Sequence, residues 1–522
     1  MCSYRQFSLL TLALYLLTSS WGQEGLLDPS FGSGGKVIIP ISPAYDSGYG
    51  IAVQSDGKIV VAGEALNGTT GDNYDVTLVR LQPDGNVDPS FGGSGAVIAT
   101  VGPGWDLAGS VLIQPDGKIV VAGQSNLGGA TDFIALRFLS DGSLDTGFGN
   151  NGIVRTALAG SYNYGWYCAL QPDGKILVTG PTHNGTNLDF GMVRLQPNGS
   201  LDQSFGNGGK VITALSNGDD YSWSCALQPD GKILLAGNSP LAGSPVFALA
   251  RYHANGSLDT GFGDQGKVRT PVGPAVSRGR SVAVQSDGKI LLGGSAGEGS
   301  AEDLALVRYL ADGSLDPSFG NGGIVISPAG AGEDKLWKVL VQPDGKILAS
   351  GYALGDQSGF DFAVLRYRPD GTPDTLFGDQ GIALIPVGPG NDFGIDIALQ
   401  SDGKIVMTGA AVDLSYDLAV VRLENSFFSG TFEPAGEASD FYFFPNPFHS
   451  TANLSFQLMQ AERVRVLLYD PLGRKVRTLL EETLPPGEFE RAIDLKGFPG
   501  GLYYLHLQTD STEQVIRVLH LY

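Results

Sequence analysis

A unit of about 57 residues is written seven times along this chain, and that repetition limits its fold more than any other feature. Gln-x-Asp-Gly-Lys begins at Gln54, Gln114, Gln171, Gln228, Gln285, Gln342 and Gln400, at intervals of 60, 57, 57, 57, 57 and 58 residues. Phe-Gly recurs at Phe31, Phe91, Phe148, Phe205, Phe262, Phe319 and Phe377. An apolar run ending in Arg recurs at Arg80, Arg137, Arg194, Arg251, Arg308, Arg366 and Arg422. Each copy holds four short apolar runs bounded by turn residues, which predicts four antiparallel strands, a to d. In the first full copy they fall at 51–54, 58–63, 76–82 and 88–98. Composition agrees. Gly and Pro supply 76 and 29 of the 522 residues, and both break helices. With 42 % hydrophobic and 17 % charged residues the chain is too apolar for intrinsic disorder.

Seven four-stranded units in sequence predict an all-β fold, a seven-bladed β-propeller that removes open sheet edges by closing into a ring. The chain opens on a d-like segment at Leu27–Gly32 that has no strand c before it, and the seventh copy stops after strand c. The N-terminal strand therefore completes the last blade. Arg80 and Asp88 are equidistant from Asp84 at the c–d turn and face each other in a regular hairpin. The same offset recurs in five further copies, which leaves Asp28 and Arg422 to pair across the closure.

These strings resemble the delta-60 repeat family, whose pattern is similar to AVQxDGKIVVAG, DxxLVRLxxDG and LDxSFGxxGKV, over residues 27–424. The strand order also resembles that of NHL-repeat propellers. The fourth copy departs from the pattern: Val246 stands where Asp75, Asp132, Asp189, Asp303, Asp361 and Asp417 occur, which argues against a seven-fold Asp metal scheme.

The two ends of the chain bear on its compartment. Arg5 precedes an eleven-residue apolar stretch at 7–17, and Ser20 and Gly22 suit a cleavage site, so residues 1–22 read as a secretory signal peptide. Later apolar runs fall short of the ~18 residues of a membrane-spanning helix, so none is expected in the mature chain. Residues 425–439 read as a linker, and residues 440–522 as a small C-terminal β-sandwich with strands at 464–469, 502–508 and 514–519. Pro445, Asn446, Pro447, Asp470, Gly473, Gly501 and Tyr503 make this segment resemble the type A C-terminal sorting domain of the type IX (Por) secretion system. The resemblance implies that residues 440–522 engage that machinery in a Bacteroidetes-type bacterium. The protein would then pass through the periplasm and be released or attached to the cell surface.

Chemistry is harder to find. A net charge of −21 excludes sequence-independent nucleic-acid binding. His183 and His253 lack partners at ligand spacing, no EF-hand, HExxH, GxSxG or Walker string occurs, and neither metal, cofactor nor catalytic residues are expected. Cys168 and Cys225 share a strand-a position with Val111 and Val282, which reads as a small buried apolar side chain. Antiparallel connection puts the near-identical a–b and c–d turns on one face and the variable b–c and d–a loops on the other. The d–a segments carry Trp105, Asp106, Tyr162, Tyr164, Trp166, Asp219, Asp220, Tyr221, Trp223, Trp337, Asp392 and Phe393, a set of aromatics beside carboxylates that suits a sugar or a peptide. The competing structural reading is that Tyr49, Trp166, Trp223 and Trp337, each five residues before the repeat Gln, wedge between blades. The function expected is a non-enzymatic binding or interaction module for an extracellular glycan or protein. The alternative is a secreted hydrolase or lyase acting on glycans at the variable-loop face.

Overall fold

The computed structural model describes residues 24–43, 45–66, 73–126, 128–298, 301–355, 359–412, 415–425, 441–444, 451–458, 460–469, 475–494, 501–509 and 513–520. Residues 1–22, most of the 425–439 segment, and Pro445, Asn446, Pro447, Asp470 and Gly473 lie outside them. The chain forms two compact units, residues 1–428 and 429–522. Among the described residues no helix is long and apolar enough to cross a membrane.

The first unit is a seven-bladed propeller. Its first blade is the antiparallel sheet Asp46–Val53, Ile59–Leu66, Tyr74–Leu81 and Ala96–Ala99, and five further sheets repeat that order. The seventh sheet takes Asp392–Leu399, Ile405–Val412 and Tyr416–Leu423 from the end of the ring and Lys36–Ile39 from its start. Lys36 pairs with Val421 and Ile39 with Leu418, so the N-terminal strand closes the ring. Strands b and c are buried almost throughout, because adjacent blades cover both of their faces. Each of the seven cores accordingly spans two blades; one joins Val60, Ala62 and Leu78 to Ile119, Val121 and Ile134.

Strand d differs from its expected bounds. It is four residues long, beginning at Ala96 rather than at Asp88. Residues 88–95 turn back on themselves instead, with Phe91 N–H donating to the Asp88 carbonyl at 3.1 Å and Gly95 N–H to the Phe91 carbonyl at 2.7 Å. The turn buries Phe91 completely and lays the Arg80 guanidinium over its ring. Arg covers Phe at 4.2–4.7 Å in all seven copies. Arg Nε meets the Asp carboxylate at 2.7–2.8 Å in each, including Arg422 on Asp28. The Lys of Asp-Gly-Lys approaches the same carboxylate at 2.7–4.0 Å. Burial alone would push Asp202 and Asp316 up, yet the serine donors two residues on and the Arg charges outweigh it and hold both at about 2.

The same Arg links neighbouring blades. In six copies Nη1 donates to a c–d turn carbonyl of the next blade: Ser140, Pro197, Ala254, Ala311, Pro369 and Pro83. The sixth blade has no such turn beside it, because strands c and d of blade seven come from opposite chain ends. Arg366 instead donates to Asn425 Oδ1 at 2.6 Å and pairs with Glu24, whose carbonyl accepts Gly378 N–H at 2.8 Å. Asn425, the first residue of the 425–439 segment, is buried and lies within the propeller unit. The turns must stay tight for this contact. Gly85 has φ +89°, and a Cβ there would sit 3.0 Å from the Phe31 ring of the neighbouring blade.

The second unit is a β-sandwich. A three-stranded sheet (Phe441–Phe444, Thr451–Leu458, Gly487–Asp494) and a four-stranded sheet (Lys475–Leu484, Glu462–Tyr469, Gly501–Gln508, Glu513–His520) share one core. Leu454 and Phe456 meet Val464, Val466, Leu505 and Leu507 there. Gly501 opens a strand paired to His520, and Tyr503 is buried opposite Val518.

Candidate functional site

Strand a is the innermost strand of each blade, and its first half carries an irregularity that aims side chains at the axis. In six blades the pairing of strands a and b skips one residue: Tyr49, Gly109, Trp223, Arg280, Trp337 or Ile395. Such a bulge lets two successive residues face the same way. In the third blade Trp166 occupies the equivalent place, just ahead of the strand Tyr167–Leu170. All seven of these positions line one cavity of about 110 Å³, together with the next residues Ser110, Tyr167, Ser224, Ser281, Lys338 and Asp396. Tyr49, Trp166, Trp223 and Trp337 therefore face the channel rather than wedging between blades.

The first ring is aromatic with one cation. Trp166 and Trp223 have ring centroids 5.3 Å apart, and Trp223 and Trp337 meet edge-on at 6.2 Å. The Arg280 guanidinium lies 4.1 Å from the centroids of both Trp223 and Trp337. Each such desolvated contact is worth about 2 kcal/mol. Among the described residues Arg280 forms no ion pair, and its Nη1 has no hydrogen-bond partner. Burial lowers the guanidinium to about 10, so it stays charged at neutral pH. Tyr49 donates to Glu64 Oε1 at 2.9 Å, and Trp223 Nε1 donates to Asn238 at 3.2 Å, which fixes both rings from behind.

The second ring is polar and largely occupied with itself. Ser110, Ser224, Ser281 and Asp396 accept strand-a N–H groups of the following blade from Cys168, Val282, Val339 and Ile51 at 2.9–3.1 Å. Lys338 pairs with Asp396 at 3.0 Å and donates to the Tyr167 hydroxyl at 3.3 Å. Burial would lower Lys338, but the Asp396 charge overrides it and holds the amine well above its ordinary range. The Lys338 charge pulls Tyr167 down, while burial and Asp396 together outweigh it and raise the phenol. Both groups keep their protons at neutral pH. Cys168 and Cys225 lie behind the ring as buried free thiols, pushed up by burial to about 11 and about 12.

The other expected site residues divide into two sets. Asp106, Asp220 and Asp392 are fully buried and have no part in an exposed site. Their carboxylates accept backbone N–H groups four and five residues back, as Asp106 does from Val101 at 2.6 Å and Gly102 at 3.0 Å. Asp220 and Asp392 repeat this on Leu215 and Ser216 and on Val387 and Gly388. Asp46, Asn163 and Asp334 do the same in other copies, so this is a framework cap of the d–a loop that changes residue type between copies. Burial raises Asp106 and Asp392, consistent with a structural carboxylate. The aromatics stay near the surface. Tyr162 is 45 % exposed and stacks on Tyr164 at 6.4 Å, and Tyr221 stacks on Trp223 at 6.3 Å. Phe393 joins a separate group with Tyr416, Phe360 and Tyr352. Asp219 is exposed and accepts Leu188 N–H at 2.9 Å, and Trp105 is half-buried outside both aromatic groups. Arg280, Lys338, Asp396 and Tyr167 went unmarked in the sequence, although they stand five or four residues before a repeat Gln, as the tryptophans and the serines do. Among the described residues no cluster of His, Cys, Asp and Glu is arranged to hold a metal ion.

Comparison with known proteins adds the family. The domain described as Domain of unknown function (DUF5122) beta-propeller matches at 54–91, 114–148, 171–205, 228–262, 285–319 and 342–377. The seventh copy has its Phe31-Gly32 element at the other end of the chain, which leaves no contiguous stretch to match. The domain described as Secretion system C-terminal sorting domain matches residues 442–519. No curated protein matches the sequence. Among solved structures, PorZ, a bacterial surface component of the type-IX secretion system of Porphyromonas gingivalis, is 14 % identical with a TM-score of 0.37, over 93 % of this chain and 60 % of that one. This chain thus spans less than two thirds of the length of PorZ. Polysaccharide lyase Uly1 is 12 % identical with a TM-score of 0.43, over 78 % and 93 %. The β-propeller domain of the Trilobed protease from Pyrococcus furiosus is 12 % identical with a TM-score of 0.38, over 76 % and 98 %. These likenesses are too distant to carry an argument about function. The chain carries DUF5122 β-propeller repeats and a C-terminal sorting domain of the type IX secretion system, which directs it to the cell surface or out of the cell.

Proposed function

We propose that the exported propeller is a non-enzymatic binding module whose ligand enters the channel mouth on the variable-loop face. One observation carries this reading: a strand-a slot whose residue varies between copies, five residues before each repeat Gln, converges from all seven blades on one cavity. A slot with a framework duty would hold similar residues, as the Arg and Phe positions do. At about 110 Å³ the cavity is smaller than the ~300 Å³ of a typical small-molecule pocket, so it suits one group of a larger ligand that also lies on the Tyr162, Tyr164 and Tyr221 surface. The Lys338–Tyr167 contact in the same cavity is what favours the second reading, a glycan hydrolase or lyase. Against it, both groups are held protonated, and the Asp396 carboxylate is occupied by Lys338 and two backbone N–H groups. A general base needs a free acceptor poised near the working pH.

The test is an array of glycans and peptides probed with the chain lacking residues 1–22. The Trp166→Ala, Trp223→Ala, Trp337→Ala triple variant should lose at least tenfold in affinity for whatever the parent protein captures. Charge reversal of the exposed Asp56, Asp116 and Asp173 on the turn face should leave capture unchanged. The opposite pattern would move the site to the other face.

A further inference from the structure

We infer that the group received by the channel mouth is a carboxylate carried on a sugar, with Arg280 as its counter-charge. This rests on the channel-mouth reading above and adds the class of ligand. Arg280 is the one cation of the cavity wall without an acidic partner among the described residues, since Lys338 is paired to Asp396. The neighbouring cations are also taken: Arg278 and Lys335 both pair with Glu302. The guanidinium carbon lies 4.1 Å from the centroids of two indoles that stand at 86° to each other, so the cation is seated in the corner they form before any ligand arrives. A planar guanidinium in an apolar surround is a receptor for a planar carboxylate. The protein as a whole repels anions at net −21, so an unpaired cation at the mouth selects against that background field.

The rest of the mouth favours a sugar over a peptide. One recurring peptide mode adds a strand to a free sheet edge through backbone hydrogen bonds. Here Cys168, Val282, Val339 and Ile51 on the inner strands already donate their N–H groups to side chains of the preceding blade. What the mouth presents instead is flat faces. Tyr162 and Tyr164 lie within 13° of parallel, and Tyr221 and Trp223 within 12°. Aromatic faces accept the apolar C–H face of a pyranose, while the cation takes the acid group.

The experiment titrates galacturonate oligomers, the same oligomers with their carboxylates reduced to alcohols, and an oligoglutamate peptide into the chain lacking residues 1–22, read by tryptophan fluorescence. Parent protein, Arg280→Met and Arg280→Lys are compared, with unfolding midpoints recorded alongside. The expected result is binding of galacturonate, weaker binding of the reduced oligomer by about tenfold or more, and loss of that preference in Arg280→Met under conditions where its unfolding midpoint shows the variant folded. Arg280→Lys should recover part of it. Equal affinity for acidic and reduced oligomers overturns the counter-charge assignment and leaves the channel mouth as a site for neutral sugars. Tighter binding of oligoglutamate than of galacturonate overturns the sugar assignment. No response to galacturonate in the parent overturns the inference whatever the array shows. If the tryptophan triple variant keeps full capture on the array, the channel-mouth reading has failed first.

Discussion

On the turn face of the propeller, seven copies place Arg, Asp and Phe in contacts that differ by a few tenths of an ångström, and each Arg reaches a neighbour in the next blade. At the channel mouth the equivalent slot holds Tyr49, Gly109, Trp166, Trp223, Arg280, Trp337 and Ile395. The difference follows from what each position must do. A ring closes only if every interface makes its link, so the linking residues cannot drift. A bulged residue makes no ladder pair with strand b, so its side chain is free to vary without loosening the sheet. Framework and site are separated within each repeat by a few residues of strand a.

The sharpest way to break this contrast is at the closure. Arg422→Met leaves the buried Asp28 with Lys404 and the Ser30 donors but without its guanidinium, and removes the stacking on Phe31. Losing one partner of a buried pair costs about 3–5 kcal/mol, read as a lower urea midpoint. An equal midpoint would show that the ring does not depend on the link. Glu64 should be the next largest. Burial raises its carboxyl from 4.5 to about 7 against the opposing Tyr49 hydrogen bond. Below about pH 4.5 both folded and unfolded chains hold the proton and the contribution is complete. As pH rises toward 7 the unfolded chain ionises first, and stability falls by on the order of 3 kcal/mol until the folded carboxyl ionises too. Glu64→Gln should flatten that decline in urea melts taken across the range.

The loop cap gives a smaller effect with an internal control. Asp106→Ala leaves the Val101 and Gly102 N–H groups unpaired and should cost about 2 kcal/mol. Asp106→Asn should cost less than half of that, because Asn163 fills the same slot in the third blade. Equal losses would mean that the charge, not the acceptor, matters. Cys225→Val should be the mildest, within about 1 kcal/mol, since Val111, Val282 and Val339 hold that slot in other copies.

The Arg and Asp framework was readable in the sequence because each pair sits symmetrically about a turn at the same offset, and the two left over, Asp28 and Arg422, bond at 2.7 Å. Strand d was read too long because residues 88–95 pass for an extended run, whereas Gly92, Gly93 and Gly95 take positive φ and fold them into a turn. Asp106, Asp220 and Asp392 passed for copy-specific groups because their slot accepts Asp, Asn or Ser, and only the shared bond to the d–a loop unites them. Arg280 stayed hidden for a related reason. The one signal for it is register: Arg280 stands five residues before Gln285, the slot that Trp166, Trp223 and Trp337 hold in other copies.

The most direct test of the mouth as an open, aromatic, cation-bearing site needs no ligand. In a chain lacking residues 1–22, the Trp105→Phe change leaves Trp166, Trp223 and Trp337 as the only tryptophans. Their fluorescence can be quenched with iodide and, separately, with caesium at equal ionic strength. The net charge of −21 favours caesium everywhere else on the surface, so stronger quenching by iodide, lost on Arg280→Met, is the result expected from the Arg280 cation beside Trp223 and Trp337. Stronger quenching by caesium, or no access for either ion, would contradict the placement of an unpaired Arg280 cation against Trp223 and Trp337.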